Sequence, residues 1–141
     1  MKRLLCVFIL APLSFSCVAK DDPTKAMDGS WSATAAEIAG AKFPDEARKN
    51  VKLVVGDGKY SVTIGPESDK GTVTLDPTKS PKTVDITSTD GTNKGHTILA
   101  IYETSGNTMR ICYDLSGKAR PTDFKTEKGS QLFLVTYERD K

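Results

Sequence analysis

Few side chains in this sequence combine the residue type and the spacing that catalysis requires. His96 is the single histidine among 141 residues, so a Ser-His-Asp triad would depend on it. No serine lies in a G-x-S-x-G turn between a strand and a helix, which such a nucleophile needs. We therefore interpret His96 as a solvated residue at a hairpin end, and we predict that the protein is not an enzyme.

Metal-binding patterns are equally scarce in the sequence. Zinc sites use several Cys or His residues at short spacings, such as C-x-x-C and H-E-x-x-H, and neither pattern occurs. Asp90-Gly91-Thr92-Asn93 gathers side-chain oxygens but lacks the spaced acids and the terminal Glu of a calcium loop, so it is interpreted as a turn. We predict no catalytic residue, no metal site and no cofactor.

The three cysteines are divided between the N-terminus and the folded part. Cys6 and Cys17 belong to the N-terminal segment, which leaves Cys112 without an intramolecular disulfide partner. Met109 and Ile111 continue an apolar strand pattern around Cys112. We interpret Cys112 as a packing residue and not as a nucleophile.

The first nineteen residues have the pattern of a secretory signal. Lys2 and Arg3 supply positive charge, residues 4–15 form an apolar run, and small residues precede the charged residues 20–22. The run is shorter than the ~20 residues that a membrane-spanning helix needs. We predict a signal peptide at residues 1–19 and an exported protein.

Two processing outcomes are open at Cys17. Small residues allow ordinary cleavage after Ser16 or after Ala19. Alternatively, as in bacterial lipoproteins, Cys17 becomes the first mature residue and is acylated, with the polar residues 20–27 as a tether to a membrane. Such signals usually place Leu three residues before the cysteine, where this chain has Ser14. We expect a protein that is periplasmic, membrane-anchored or secreted.

The composition is that of one globular domain without a nucleic-acid partner. Hydrophobic residues make up 38% and charged residues 27%, so the chain can bury a core. Lys and Arg number 20 against 18 Asp and Glu, and the excess is Lys2 and Arg3. The remaining charge is balanced and forms no basic stripe for phosphate backbones. We assign the folded domain to residues 28–141.

The strand pattern predicts an all-β fold. Runs of β-branched and aromatic residues at period two are broken every eight to twelve residues by Gly, Asp, Asn and Pro. One short helix is predicted at 44–49, where Pro precedes acids and then bases. Because closure removes the edges of a meander, we predict an eight-stranded antiparallel up-and-down barrel. The predicted strands are 30–38, 51–55, 59–64, 71–75, 82–88, 96–103, 107–113 and 131–139.

Alternate positions along these strands predict an apolar interior. The small residues Ala33, Ala35 and Ala100 would leave space there for a ligand. The predicted inward residues are Trp31, Ala33, Leu53, Val55, Tyr60, Val62, Ile64, Val73, Leu75, Val84, Ile86, Leu99, Ile101, Met109, Ile111, Phe133 and Val135. From these we select as candidate ligand-lining residues Leu53, Tyr60, Val62, Leu99, Ile101, Met109 and Phe133.

The stretch 114–130 is longer than most connections and is expected to be functional or anchored. In one interpretation Arg120, Asp123 and Phe124 rim a pocket mouth. In the other, Phe124 plugs one end of the barrel while Arg120 pairs with Asp123.

The segment Gly29-Ser30-Trp31 at the start of the first strand resembles the G-x-W signature of lipocalin-like barrels. In that family the tryptophan closes the barrel floor beneath an arginine from the last strand. The resemblance implies barrel closure by Trp31 and Arg139, a physically favourable pairing because an aromatic face attracts a cation.

Further segments extend the resemblance over nearly the whole chain after the signal. They are Asp28-Gly29-Ser30-Trp31, the stretch LDPTKSPKTVDIT at 75–87, Ile101-Tyr102-Glu103, Met109-Arg110-Ile111-Cys112 and the stretch RPTDF at 120–124. With them the chain is similar to an uncharacterised secreted lipocalin-like domain that occurs in many copies in planctomycete bacteria. This resemblance implies a fold and no activity.

Two functions are consistent with these expectations. The first is a non-enzymatic barrel that binds a small apolar molecule, and the alternative is a structural or protein-interaction envelope protein whose barrel is filled. An interior void of a few hundred Å³ would favour binding, because drug-sized pockets begin near ~300 Å³. An eight-stranded barrel can also be filled by its own side chains.

Overall fold

A computed structural model describes residues 25–141. The signal peptide predicted at residues 1–19, its cleavage sites and Cys17 lie outside the described residues.

Within residues 25–141, nine strands and one short helix follow one another along the chain. They are β1 (Gly29–Ile38), β2 (Ala41–Lys42), α1 (Asp45–Arg48), β3 (Val51–Gly56), β4 (Lys59–Ile64), β5 (Glu67–Asp76), β6 (Lys82–Gly91), β7 (Thr97–Ser105), β8 (Thr108–Asp114) and β9 (Leu132–Arg139). From β3 to β9, each strand pairs antiparallel with the next, and β1 pairs with both β3 and β9. Since β2 only pairs with the end of β1, eight strands form the closed barrel. The predicted eight-stranded antiparallel barrel is therefore confirmed.

The hairpin between β3 and β4 shows how local sequence sets the register. Asp57 and Gly58 both have positive φ angles, of 52° and 74°. A two-residue turn of this kind has the twist that the flanking strands require. It places Val55 opposite Tyr60 and Leu53 opposite Val62, so these apolar side chains share the inner face of the barrel.

A bulge changes the inward face of β1. The register with β9 shifts between Ala33 and Ala35, and an extra residue in one strand reverses the alternation beyond it. Ala33 and Ala36 are therefore buried while Ala35 is exposed. The expectation that Ala35 leaves space inside the barrel was wrong, because the period-two pattern does not reveal the bulge.

The alternation predicted for β7 was also wrong. Ile98, Ala100 and Tyr102 belong to the core cluster, so Leu99 and Ile101 lie on the outer face of the barrel. Ile101 is nonetheless buried, because a loop covers this part of the wall. Apolar residues therefore occupy both faces of β7, and periodicity alone does not distinguish the inner face from the outer one.

The covering loop comprises residues 115–131 between β8 and β9, and we call it the outer strap. Arg120 fastens it to the barrel wall by an ion pair with Asp85. The same guanidinium donates hydrogen bonds to the carbonyl oxygens of Val84, at 3.3 Å, and Ala100, at 2.8 Å. The predicted pairing of Arg120 with Asp123 is therefore wrong.

The aromatic ring of the outer strap also lies on the outer wall. Phe124 packs beneath the guanidinium of Arg110, whose central carbon lies 4.7 Å from the ring centroid. The thiol of Cys112 faces the carbonyl of Lys125 at 3.7 Å beneath the strap. Phe124 neither plugs a barrel end nor rims the mouth, because the strap binds along β7 and β8.

Candidate functional site: the barrel interior

One end of the barrel is sealed, and we call it the floor, defined by Met27, Trp31 and Arg139. Trp31 is fully buried, and its indole N–H donates a hydrogen bond to the carbonyl of Met27 at 2.9 Å. The guanidinium carbon of Arg139 lies 4.2 Å from the centroid of the Trp31 ring. Arg139 also donates to the carbonyl of Asp28 at 2.6 Å. The structure thus places the two residues predicted for barrel closure in contact at the floor.

Two neighbours of Trp31 make this arrangement possible. Gly29 has a φ of 131°, and a Cβ at that position would collide with the guanidinium of Arg139. Met27 is 1% exposed and belongs to the core. Assigning Met27 to a polar tether was therefore wrong, since the sequence around it is polar and its burial depends on contacts with the distant strands.

The opposite end, which we call the mouth, is bounded by Ile64 at the end of β4, by Asn93 after β6 and by Leu115 after β8. A cavity of about 70 Å³ lies inside the barrel, bordered by these residues of the mouth and, toward the other end, by Met27 of the floor. This volume equals that of about two water molecules and is roughly half of an engineered cavity of ~150 Å³ that holds benzene. The cavity is too small for a drug-sized molecule.

The cavity includes only part of the predicted ligand-lining set. Among those seven residues, Leu53, Tyr60, Val62 and Phe133 border it. Met109 is fully buried in the core but does not border the cavity. Leu99 and Ile101 face the outer wall, as described above.

A second space lies beside the cavity at the mouth. This outer cleft of about 270 Å³ is open to solvent and borders Glu67 and Thr92. It shares Val62, Ile64, Asp69 and Asn93 with the inner cavity. A molecule with its apolar end in the cavity would therefore have room for its remaining atoms in the cleft.

A buried carboxylate lies where the two spaces meet. Asp69 is 6% exposed. It accepts hydrogen bonds from the Tyr60 hydroxyl at 2.6 Å, the Ser88 hydroxyl at 2.5 Å and the backbone N–H of Asn93 at 3.2 Å. The site therefore combines an apolar chamber with a carboxylate that three hydrogen-bond donors hold in place.

A bulge between β5 and β6 brings these groups together. The register shifts between Lys70 and Gly71, which places Gly71 opposite Ser88. A Cβ at Gly71 would overlap the carbonyl of Thr87, so the close approach of the two strands depends on glycine. The bulge allows Ser88 to reach the carboxylate of Asp69.

Three tyrosines make the cavity wall partly polar. The hydroxyls of Tyr113 and Tyr137 lie 3.0 Å apart. Burial raises the pKa of Tyr137 to about 12, although the hydrogen bond with Tyr113 lowers it. Burial also raises the pKa of Tyr60, and the hydrogen bond to Asp69 and its charge raise it further. These hydroxyls therefore remain protonated donors at neutral pH.

Sequence reasoning missed the polar part of the site. Asp69 lies in the polar run Glu67-Ser68-Asp69-Lys70, which lacks apolar alternation and was excluded from the strand. Asn93 was interpreted only as part of a turn, yet its backbone N–H contacts the carboxylate. His96 lies exposed in the same loop. No sequence signal marked Asp69, because the strand was predicted to begin after it, at residue 71.

Over residues 25–141, no three His, Cys, Asp or Glu side chains converge on a point where a metal could bind. In the same range, no helix has the length and apolar character of a membrane-spanning segment.

No protein-family model, curated protein or solved structure matches the chain. The similarity to the planctomycete lipocalin-like domain therefore stays a prediction, and function is inferred from the geometry of the barrel.

Proposed function

We propose that this chain is a non-enzymatic, exported barrel that binds a small molecule with an apolar part at its mouth. The observation that carries the proposal is the cavity of about 70 Å³ inside the barrel, which borders an open cleft. Ligand sites are typically apolar chambers with a few placed polar groups. The mouth has this composition, with apolar walls around Asp69.

The dimensions restrict the ligand. The inner cavity, at about 70 Å³, takes a group of about three heavy atoms, because a cavity of ~150 Å³ holds the six carbons of benzene. The outer cleft, at about 270 Å³, accepts a larger remainder that stays in contact with solvent. A compact molecule or a short branched end of a longer one fits, whereas a fully enclosed ring system does not.

Xenon binding tests whether the cavity is accessible, because xenon occupies apolar cavities. We expect NMR signals of residues at the mouth to shift saturably under xenon pressure. Val62→Phe should abolish this response by filling the cavity. Val54→Phe adds the same ring on the outer face of the barrel, where Val54 is 50% exposed, and should leave the response intact. Absence of any xenon response in the native chain would contradict the proposal.

A filled barrel with a structural or protein-interaction role is the second candidate. The small volume of the cavity supports it, since a few hundred Å³ would be expected of a typical ligand site. Native mass spectrometry of protein purified from its own host separates the two functions. A bound small molecule supports binding, and repeated recovery of an empty barrel that also takes up no xenon supports the filled barrel.

Export, with or without acylation of Cys17, is proposed from the N-terminal sequence alone. The charged start, the apolar run and the small residues before Lys20 support it. Intact mass of the protein in the membrane fraction is the test. A mature chain that starts at an acylated Cys17 supports the lipoprotein form, and an unmodified chain that starts at Lys20 supports simple secretion. Retention of residues 1–19 would contradict export by this signal.

A further inference from the structure

The buried carboxylate of Asp69 has neutral partners. Its three hydrogen-bond donors are the hydroxyls of Tyr60 and Ser88 and the backbone N–H of Asn93. Between residues 25 and 141, the ion pairs are Arg48 with Asp45, Arg110 with Glu103 and Arg120 with Asp85. In this part of the chain no basic side chain pairs with Asp69.

The buried carboxylate of Asp69 lacks an opposite charge and does not have its full set of hydrogen bonds. Burying a charge is unfavourable unless an opposite charge or hydrogen bonds compensate for the lost water. A carboxylate has about four acceptor sites, and the three observed hydrogen bonds leave one free. The free site is on Oδ2, which accepts only the Tyr60 hydroxyl, whereas Oδ1 accepts from both Ser88 and Asn93.

The surroundings of Asp69 also favour a positive charge. The rings of Tyr60, Tyr113, Phe133 and Tyr137 border the same cavity, and aromatic faces attract cations, most strongly where water is excluded. In the outer cleft the charged lining residues are Glu67 and Asp69, both acidic. A cation that enters through the cleft therefore meets negative charge first and aromatic rings next.

We propose that the ligand is a small organic cation, an alkylammonium whose charged nitrogen pairs with Asp69 while its alkyl group fills the inner cavity. This inference rests on the proposed binding function and adds the chemical class of the ligand. An ammonium group offers the hydrogen-bond donor that the free site on Oδ2 can accept. The cavity limits the buried alkyl part to about three heavy atoms, and any longer substituent extends into the cleft.

Two probes of one shape separate charge from size. Isopropylammonium and 2-propanol have the same heavy-atom skeleton, and only the former is charged at neutral pH. NMR titrations of the full chain with each probe give two dissociation constants. We expect isopropylammonium to bind at least ~10-fold more tightly, the ratio that one modest charge interaction provides. Equal affinities for the two probes would overturn the inference.

Variants then locate the charge that is responsible. Asp69→Asn keeps the shape and a carbonyl acceptor but removes the charge, so the preference for the cation should disappear. Asp123→Asn removes an exposed carboxylate of the outer strap and should leave the preference unchanged. In the native chain the carboxylate carbon signal of Asp69 should shift saturably with isopropylammonium and not with 2-propanol, which provides an outcome that does not depend on how well the Asp69 variant folds. A preference that survives Asp69→Asn in a folded protein, or an Asp69 carboxylate signal that does not respond to isopropylammonium, would overturn the assignment to Asp69.

Failure of this inference is distinct from failure of the proposed function. If xenon binds but isopropylammonium is not preferred over 2-propanol, the proposed binding function stands with a neutral apolar ligand, and the inference of a cation is wrong. If neither xenon nor either probe binds, both the proposed binding function and the inference of a cation are wrong.

Discussion

The floor and the mouth of this barrel use the same interactions with opposite results. At the floor the chain supplies both an aromatic ring, Trp31, and its cation, Arg139, and carbonyl groups accept the remaining donors. At the mouth it supplies aromatic rings and an anion, Asp69, and within the described residues the anion has no basic partner. The floor is closed by a ring and a cation that the chain itself provides, and the lack of such a cation at the mouth supports the proposal that a ligand supplies it there.

Removing the ring of the floor should have the largest effect. Trp31→Ala deletes a fully buried indole and the surface on which Arg139 stacks. We expect the free energy of unfolding to fall by about 3–5 kcal/mol, as for other large core aromatics. Chemical denaturation measures this change. Val54→Ala is the control, because Val54 is half exposed and its truncation should alter stability by less than ~0.5 kcal/mol.

A loss below ~1 kcal/mol in Trp31→Ala would contradict the role of the floor as the seal. The floor would then contribute no more to stability than an exposed surface residue, and the contrast between floor and mouth would be lost.

Substitutions at Asp69 should have a smaller effect on stability. Asp69→Ala leaves the buried donors of Tyr60, Ser88 and Asn93 without an acceptor, which costs about 1–3 kcal/mol. Asp69→Asn keeps an acceptor at the same position, so its unfolding free energy should lie closer to that of the native protein. Thermal or urea unfolding of both variants measures the difference. If the asparagine variant is as unstable as Trp31→Ala, the carboxylate is a structural element like the floor.

Strand positions could be predicted from the sequence in most of the chain but not at β5, and the difference has a physical reason. Strand positions follow from local sequence, and seven of the eight predicted strands match barrel strands whose ends lie within a few residues of the prediction, the exception being β5. That strand begins at Glu67 and not at residue 71. Its first four residues are polar on both faces, so apolar alternation does not reveal them. Local alternation therefore locates strands well where one face is apolar and fails where the inward residue is Asp69.

The facing of side chains was less predictable than the strands themselves. The bulge in β1 depends on its pairing with β9, which is about a hundred residues away in sequence. The burial of Ile101 on the outer face depends on the outer strap, whose path is set by the contacts of Arg120 with β6 and β7. Both features are consequences of tertiary contacts, and a sequence window does not contain them.

The loss of stability at alkaline pH should depend on the tyrosines of the cavity wall and not on the floor. Below the usual tyrosine pKa of about 10, Tyr137 holds its proton in both the folded and the unfolded state. Between pH 10 and the folded value of about 12, the unfolded state releases that proton and the folded state retains it. Stability present below pH 10 should therefore be lost as the pH rises toward 12, by at most ~1.4 kcal/mol per pH unit for each such tyrosine.

Denaturation at pH 9 and pH 11 measures this loss, and Tyr137→Phe should reduce it. The indole N–H of Trp31 is only a hydrogen-bond donor, so this ring of the floor contributes nothing to the slope. An unchanged slope in Tyr137→Phe would show that other tyrosines account for it.

The most direct test of the difference between the two ends is a single titration followed at both. Isotope-labelled protein titrated with isopropylammonium reports on the mouth through the backbone N–H of Asn93, which donates to Asp69, and on the floor through the indole N–H of Trp31, which donates to Met27. Because Met27 also borders the cavity, a ligand that binds at Asp69 predicts a saturable shift of the Asn93 signal that exceeds any shift of the Trp31 signal. A saturable shift at Trp31 with none at Asn93, or no saturable shift at either end, would contradict the account.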